Sequence, residues 1–266
     1  MGLKGMLIGG SIGSLFGGPL GAILGAVLGG QVEKTIAKGR RANNSRKISA
    51  RYTDMSSNRR AMVFCASAAA MLAKMAKADG HVNRDEIAVV ERAFVKLGFS
   101  RTARDYAVNV FRKAKDDSHT IFEYAMDFAS AVESIEVREL FYEILWELAA
   151  ADGSIGSDEL LVLQRIPRGL GIRVEWYGYY FSRYAGGSSS GARRQVDPLK
   201  EAYDLLGMSP NDDTETLKHR YRELAKKNHP DALRAQGLPE EMIGKATERM
   251  SRINAAWVKI REQRGL

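Results

Sequence analysis

The sequence predicts an all-α protein in three parts: an N-terminal transmembrane helix, a helical bundle and a C-terminal helical hairpin. Three observations carry this. Residues 5–32 hold no charge and interleave glycine with large aliphatics. A short Asp-Gly pattern occurs twice in the middle of the chain, each time between stretches whose apolar residues recur every three to four positions. The C-terminal quarter reads as two amphipathic helices joined by a loop holding His229-Pro230-Asp231.

The uncharged N-terminal run exceeds the roughly 20 residues a helix needs to cross a bilayer. Its glycines recur at every fourth position, among them Gly9, Gly13, Gly17, Gly21 and Gly25. Small residues at that spacing let two helix backbones approach closely in lipid, where packing rather than water exclusion drives association. The expectation is a single span over residues 1–32 that pairs two copies through a glycine seam. A cleaved signal peptide, a flexible glycine-rich tail and a hairpin turning near Gly17-Gly18-Pro19 are the competing readings; the interleaved large aliphatics argue against the tail, and each hairpin arm would be about 13 residues, too short to span at 1.5 Å per residue.

Charge sets the expected orientation. Lys34, Lys38, Arg40, Arg41, Arg46, Lys47, Arg51, Arg59 and Arg60 follow the run, whereas only Lys4 and the terminal amine precede it. The positive-inside rule then puts everything after the span in the cytoplasm. This basic segment, residues 33–55, accounts for much of the net charge of +8. It can touch anionic headgroups, so the basic balance gives little support to nucleic-acid binding. The only cysteine is Cys65, which rules out an internal disulfide and a thiolate metal cluster.

Residues 56–184 form the expected bundle. Ala78-Asp79-Gly80-His81-Val82 with Asp85-Glu86 recurs as Ala151-Asp152-Gly153-Ser154-Ile155 with Asp158-Glu159, and Leu97-Gly98-Phe99 matches Leu170-Gly171-Ile172 at the same offset. Phe64, Ala68, Met71, Leu72 and Met75 precede the first copy on one helical face. Leu140, Ile144, Leu145 and Leu148 precede the second. Residues 101–115 and 121–132 read as two further helices. An EF-hand is excluded, because its first and third ligand positions would fall on Met75 and Lys77, then on Leu148 and Ala150. Each Asp-Gly therefore reads as a helix C-terminus, with Asn83 and Ser157 as N-caps of the next helix. Pro167 is expected to end or kink the helix that follows the second copy.

Residues 185–196 are Gly/Ser-rich and read as a flexible linker. In residues 197–266, a short helix ends at Gly207. Thr214 caps a second helix that runs through Asn228, with Leu217, Tyr221, Leu224 and Ala225 on one face, and Pro230 stops it. Pro239 opens a third, with Met242, Ala246, Met250, Ile253, Trp257 and Ile260 as its stripe.

Two family resemblances follow from these residues. The paired Asp-Gly junctions resemble the tellurite-resistance TerB-like family. That likeness marks Asp79, Glu86, Asp152 and Glu159 as candidate metal ligands, although acidic residues at helix starts are explained by the helix dipole alone. Ala202-Tyr203-Asp204-Leu205-Leu206-Gly207, the run from Leu217 to Asp231, and Ile253-Asn254-Ala255-Ala256-Trp257 resemble, in order, the J-domain of the DnaJ family. The resemblance implies docking to a DnaK-type ATPase through His229, Pro230 and Asp231, steered by Lys218, Arg220, Arg222, Lys226 and Lys227. The family usually carries a lysine after the tripeptide, and this chain has Ala232.

The order of parts resembles the DnaJ-like membrane co-chaperones of bacterial inner membranes, the DjlA type. The resemblance implies a non-enzymatic, cofactor-free co-chaperone with cytoplasmic domains. The alternative is a metal-responsive TerB-like protein of envelope stress that acts through the acidic residues of the bundle.

Overall fold

The computed structural model describes residues 18–19, 21–23, 55–78, 88, 91–92, 94–95, 99–151, 153, 155–185, 197–236 and 238–266. Among these residues there are helices and no strand.

Helix α1 (Met55–Ala78) is the central element of the bundle. Residues from Phe64 to Ala73 are buried on all sides, and half are alanine, with Cys65 fully enclosed. A helix that is apolar all round is buried all round, and its small side chains let neighbours come close. It is packed against α2 (Arg101–Asp116), α3 (Ile121–Ala131), α4 (Ile135–Ala149) and α5 (Ser157–Leu170). Helix α2 buries Ala103, Tyr106, Ala107, Val110, Phe111 and Ala114, the spacing of a single stripe. Ser100 caps it, its hydroxyl accepting from the Ala103 N–H at 3.3 Å. Thr120 and Glu123 start α3 with a reciprocal capping box. Phe64 meets Phe141 edge-on at 4.8 Å, and Phe128 stacks on Phe141 at 4.0 Å, which joins α1, α3 and α4 at the core.

Helix α5 departs from expectation in two ways. Ser157 is its first residue rather than its cap. Gly156 takes the cap position, and the Glu159 carboxylate accepts the Gly156 N–H at 2.8 Å. Pro167 neither ends the helix nor leaves a bond unmade. The carbonyl of Leu163, which a non-proline residue 167 would bond, accepts the hydroxyl of Tyr142 at 3.0 Å. The helix runs on to Leu170 and stops at Gly171, whose φ of +64° only glycine adopts without strain.

Helix α6 (Glu175–Tyr184) completes the bundle and buries Trp176, Tyr179 and Tyr180. The aliphatic periodicity that marks the other helices does not announce it.

The C-terminal unit is built from α7 (Pro198–Leu206), α8 (Thr214–Lys227), α9 (Pro230–Ala235), a 3-10 turn at Glu240–Met242 and α10 (Ile243–Arg264). Asp197 caps α7, and Gly207 ends it at φ +61°. Asp213 rather than Thr214 caps α8, its carboxylate accepting from the Thr216 N–H at 2.9 Å. Tyr221 of α8 stacks on Trp257 of α10 at 4.8 Å with the rings 9° from parallel. That contact fixes the antiparallel pairing of the two helices.

Much of the uncharged N-terminal run lies outside the described residues, as do Gly9, Gly13, Gly17 and Gly25. Gly21 is buried, and Ile23 is buried in the core cluster. No helix of the described residues is long and apolar enough to cross a membrane.

Candidate partner-docking site

The His-Pro-Asp tripeptide occupies a corner between two helices, not an open loop. Helix α8 ends at Lys227, and Asn228 closes it by donating both its backbone N–H and its side-chain amide to the Leu224 carbonyl, at 2.8 and 3.0 Å. Asn228 is 1% exposed, so it also anchors the corner in the fold. His229 is the N-cap of α9: its Nδ1 accepts the Asp231 N–H at 3.2 Å. Pro230 takes the first helical position, where a missing N–H costs nothing. With Nδ1 accepting, the neutral ring carries its proton on Nε2, leaving that N–H as its donor for a partner.

Leu233 is fully buried beneath this corner, while the His229 and Asp231 side chains are 55% and 74% exposed. Arg234 donates to Asp231 at 2.7 Å and, through its other nitrogens, to Glu240 at 3.0 and 3.2 Å. The hydrogen bonds from Arg234 hold the Glu240 carboxyl below its ordinary range. The cation at this corner is therefore Arg234, two positions after Ala232.

The basic helix divides in two. Lys218 pairs with Glu215 at 3.1 Å, and Arg220 reaches toward the Gly207 carbonyl at 3.4 Å. Arg222, Lys226 and Lys227 are exposed, and among the described residues no carboxylate lies within ion-pair distance of them. Of the five basic positions, these three, on the last turns before the tripeptide, carry uncommitted charge.

Of the four acidic candidates for a metal, Asp79, Glu86 and Asp152 lie outside the described residues. Glu159 is described and serves the α5 cap. The described residues contain no group of three or more His, Cys, Asp or Glu side chains placed to hold a metal ion.

A second constellation went unread in the sequence. Glu139 and Glu143, one turn apart on α4, are buried and face α10. Glu139 accepts from Trp176 Nε1 at 2.8 Å and from Arg249 at 2.7 Å. Glu143 accepts from Tyr180 at 3.0 Å and from Arg252. Arg249 is 2% exposed, and its guanidinium lies 5.0 Å over the Trp176 ring. The carboxylates and Tyr180 around Arg249 hold it charged, although burial works the other way. At the rim, Lys245 bridges Glu147 and Glu248, both at 2.9 Å. Burial raises the Glu147 carboxyl above its ordinary value despite that lysine. In sequence Glu139 and Glu143 look like part of a solvated helix face, because charged residues are rarely buried unless paired and their partners lie far along the chain.

Comparison with known proteins finds three family models along the chain. Residues 1–46 match the family model of the co-chaperone DjlA transmembrane domain, residues 66–177 that of tellurite resistance protein TerB, and residues 201–263 that of the DnaJ domain. The Co-chaperone protein DjlA of Aliivibrio fischeri is 31% identical over 232 residues, covering 79% of this chain and 82% of that protein. The chain belongs to the DjlA co-chaperone family. The DjlA proteins of Photobacterium profundum and Escherichia coli K12 are 30% and 29% identical, over 74% and 77% of this chain and 76% and 81% of their own lengths. No solved structure matches. As a DjlA-family member the chain is a membrane-anchored co-chaperone, with an all-helical bundle and J-domain.

Proposed function

We propose that this DjlA-family chain recruits a cytoplasmic DnaK-type chaperone and stimulates its ATPase through His229, Pro230 and Asp231. The observation that carries the reading is the exposed helix corner itself, with His229 and Asp231 open to solvent directly after Arg222, Lys226 and Lys227, which are exposed and have no ion-pair partner among the described residues. Positive charge on α8 raises the encounter rate with an acidic surface. The rigid corner then presents the imidazole Nε2–H and the Asp231 carboxylate in one geometry. No covalent chemistry is required of the chain.

The reading includes a single pass through the bacterial inner membrane with residues 33–266 on the cytoplasmic side, as the basic segment after residue 32 directs. It also includes pairing of two copies through Gly9, Gly13, Gly17, Gly21 and Gly25. The working division is anchor 1–32, basic segment 33–55, TerB-like bundle 56–184, linker 185–196 and J-domain 197–266.

The test is ATPase stimulation of a DnaK-type chaperone by the detergent-solubilised chain. The His229→Gln variant should lose stimulation while its far-ultraviolet circular dichroism matches wild type. Equal stimulation by the two proteins would sink the proposal.

A further inference from the structure

A J-domain reached through a Gly/Ser-rich linker is expected to swing freely, because such sequences behave as flexible coils. The contacts between α4, α6 and α10 argue otherwise. Glu139 and Glu143 on the bundle and Arg249 on the J-domain are all nearly or fully removed from solvent, and each carboxylate takes hydrogen bonds from both domains. Arg252 completes the pairing with Glu143. Without the J-domain, Glu139 would keep only its long pairing with Arg173 of the bundle at 3.8 Å, and Glu143 would lose both Arg249 and Arg252. Buried ion pairs add little net stability, but they select one arrangement, since any misregistered docking leaves a charge desolvated and unpaired.

We propose that the TerB-like bundle is a docking platform for the chain's own J-domain. The Glu139, Glu143, Arg249 and Arg252 lock fixes the direction in which the tripeptide corner points. The lock engages α10, while Arg222, Lys226, His229 and Asp231 stay exposed with the J-domain docked. Docking therefore leaves Arg222, Lys226, His229 and Asp231 accessible and orients them relative to the anchor, rather than covering them. The rim pair of Lys245 with Glu147 extends the same interface. This inference concerns the geometry of the chain and stands whether or not a DnaK-type ATPase is stimulated.

Double electron–electron resonance on the full-length chain in detergent tests it. Spin labels replace the exposed Asp158 and Glu262 in a Cys65→Ala background, and labelled chain is diluted with unlabelled chain so that only distances within one copy count. The wild-type network should give one narrow distance distribution. Arg252→Glu should broaden it at least twofold. Because that variant could lose the fold, a rim cycle accompanies it: Lys245→Glu should broaden the distribution, and adding Glu147→Lys should narrow it again. A broad distribution in the wild-type network overturns the proposal. So does a narrow one that neither charge reversal changes.

Discussion

The hydroxyl of Tyr142 donates to the carbonyl of Leu163 across the interior of the bundle, at 3.0 Å. That carbonyl is the one Pro167, four residues later in α5, has no N–H to bond. One residue on a neighbouring helix thus supplies the hydrogen bond that proline removes, and the helix continues through it. Burial raises the Tyr142 phenol well above its ordinary value, so it remains a donor throughout the working pH range.

Tyr142→Phe should therefore cost about 1–3 kcal/mol, the penalty for leaving a buried acceptor unsatisfied. The cost should shrink in a Pro167→Ala background, where residue 167 can make the bond itself. Urea unfolding of the four proteins of this cycle measures the coupling. Strict additivity would show that the hydroxyl does not substitute for the missing N–H.

Gly207→Ala should destabilise the J-domain by about 1–2 kcal/mol, because φ at this helix end is +61° and a side chain there strains the backbone. An added Cβ would also meet the Arg173 guanidinium of the bundle, whose flexible end must move aside. Gly207→Asn should cost less than the alanine, since asparagine tolerates this conformation better. Thermal unfolding of the three proteins ranks them.

Charge reversal at Arg222 or Lys226 should weaken stimulation of a DnaK-type ATPase about two- to fivefold at low ionic strength, the scale of one exposed charge pair. The loss should diminish with added salt, which screens exposed charges beyond about 10 Å at 0.1 M. Lys218→Glu should matter less, since Lys218 is already paired with Glu215. Titrations of stimulation at two salt concentrations separate the three variants.

Asp213 gives a pH signature. Hydrogen bonds from the Thr216 hydroxyl and backbone hold its carboxyl below the ordinary aspartate value. A carboxylate depressed by folding adds stability above its unfolded pKa, and that stability is lost as pH falls through the folded value. The melting temperature of the chain should decline on acidification below about pH 4. In Asp213→Asn the part of that decline due to the cap should be absent. An unchanged slope in the variant would remove the cap as a cause.

The legibility of this fold followed the aliphatic residues. Phe64, Met71, Leu140, Ile144, Leu163 and Leu170 recur at helical spacing and are buried, and Gly207 ends a helix where a stop was expected. What escaped notice depended on partners distant in the chain. Pro167 reads as a break because nothing local reveals Tyr142. Helix α6 was not read because Trp176, Tyr179 and Tyr180 have polar ends and a glycine lies among them. Glu139 and Glu143 receive the polar ends of Trp176 and Tyr180 inside the fold. The tripeptide was legible as a recognition element, but its conformation was not. Whether His229 caps a helix or sits in a loop depends on whether α9 forms, and the burial of Leu233 favours that turn.

The burial of Cys65 has a practical consequence. The chain's sole sulfhydryl sits among the alanines of α1 with no accessible surface. An alkylating reagent can reach it only when α1 parts from its neighbours, so the rate of maleimide capture is a clock for opening of the bundle core. The anchor and J-domain contribute no competing thiol to that signal. In intact membranes, where optical unfolding is hard to follow, this one atom reports how often the centre of the molecule comes apart.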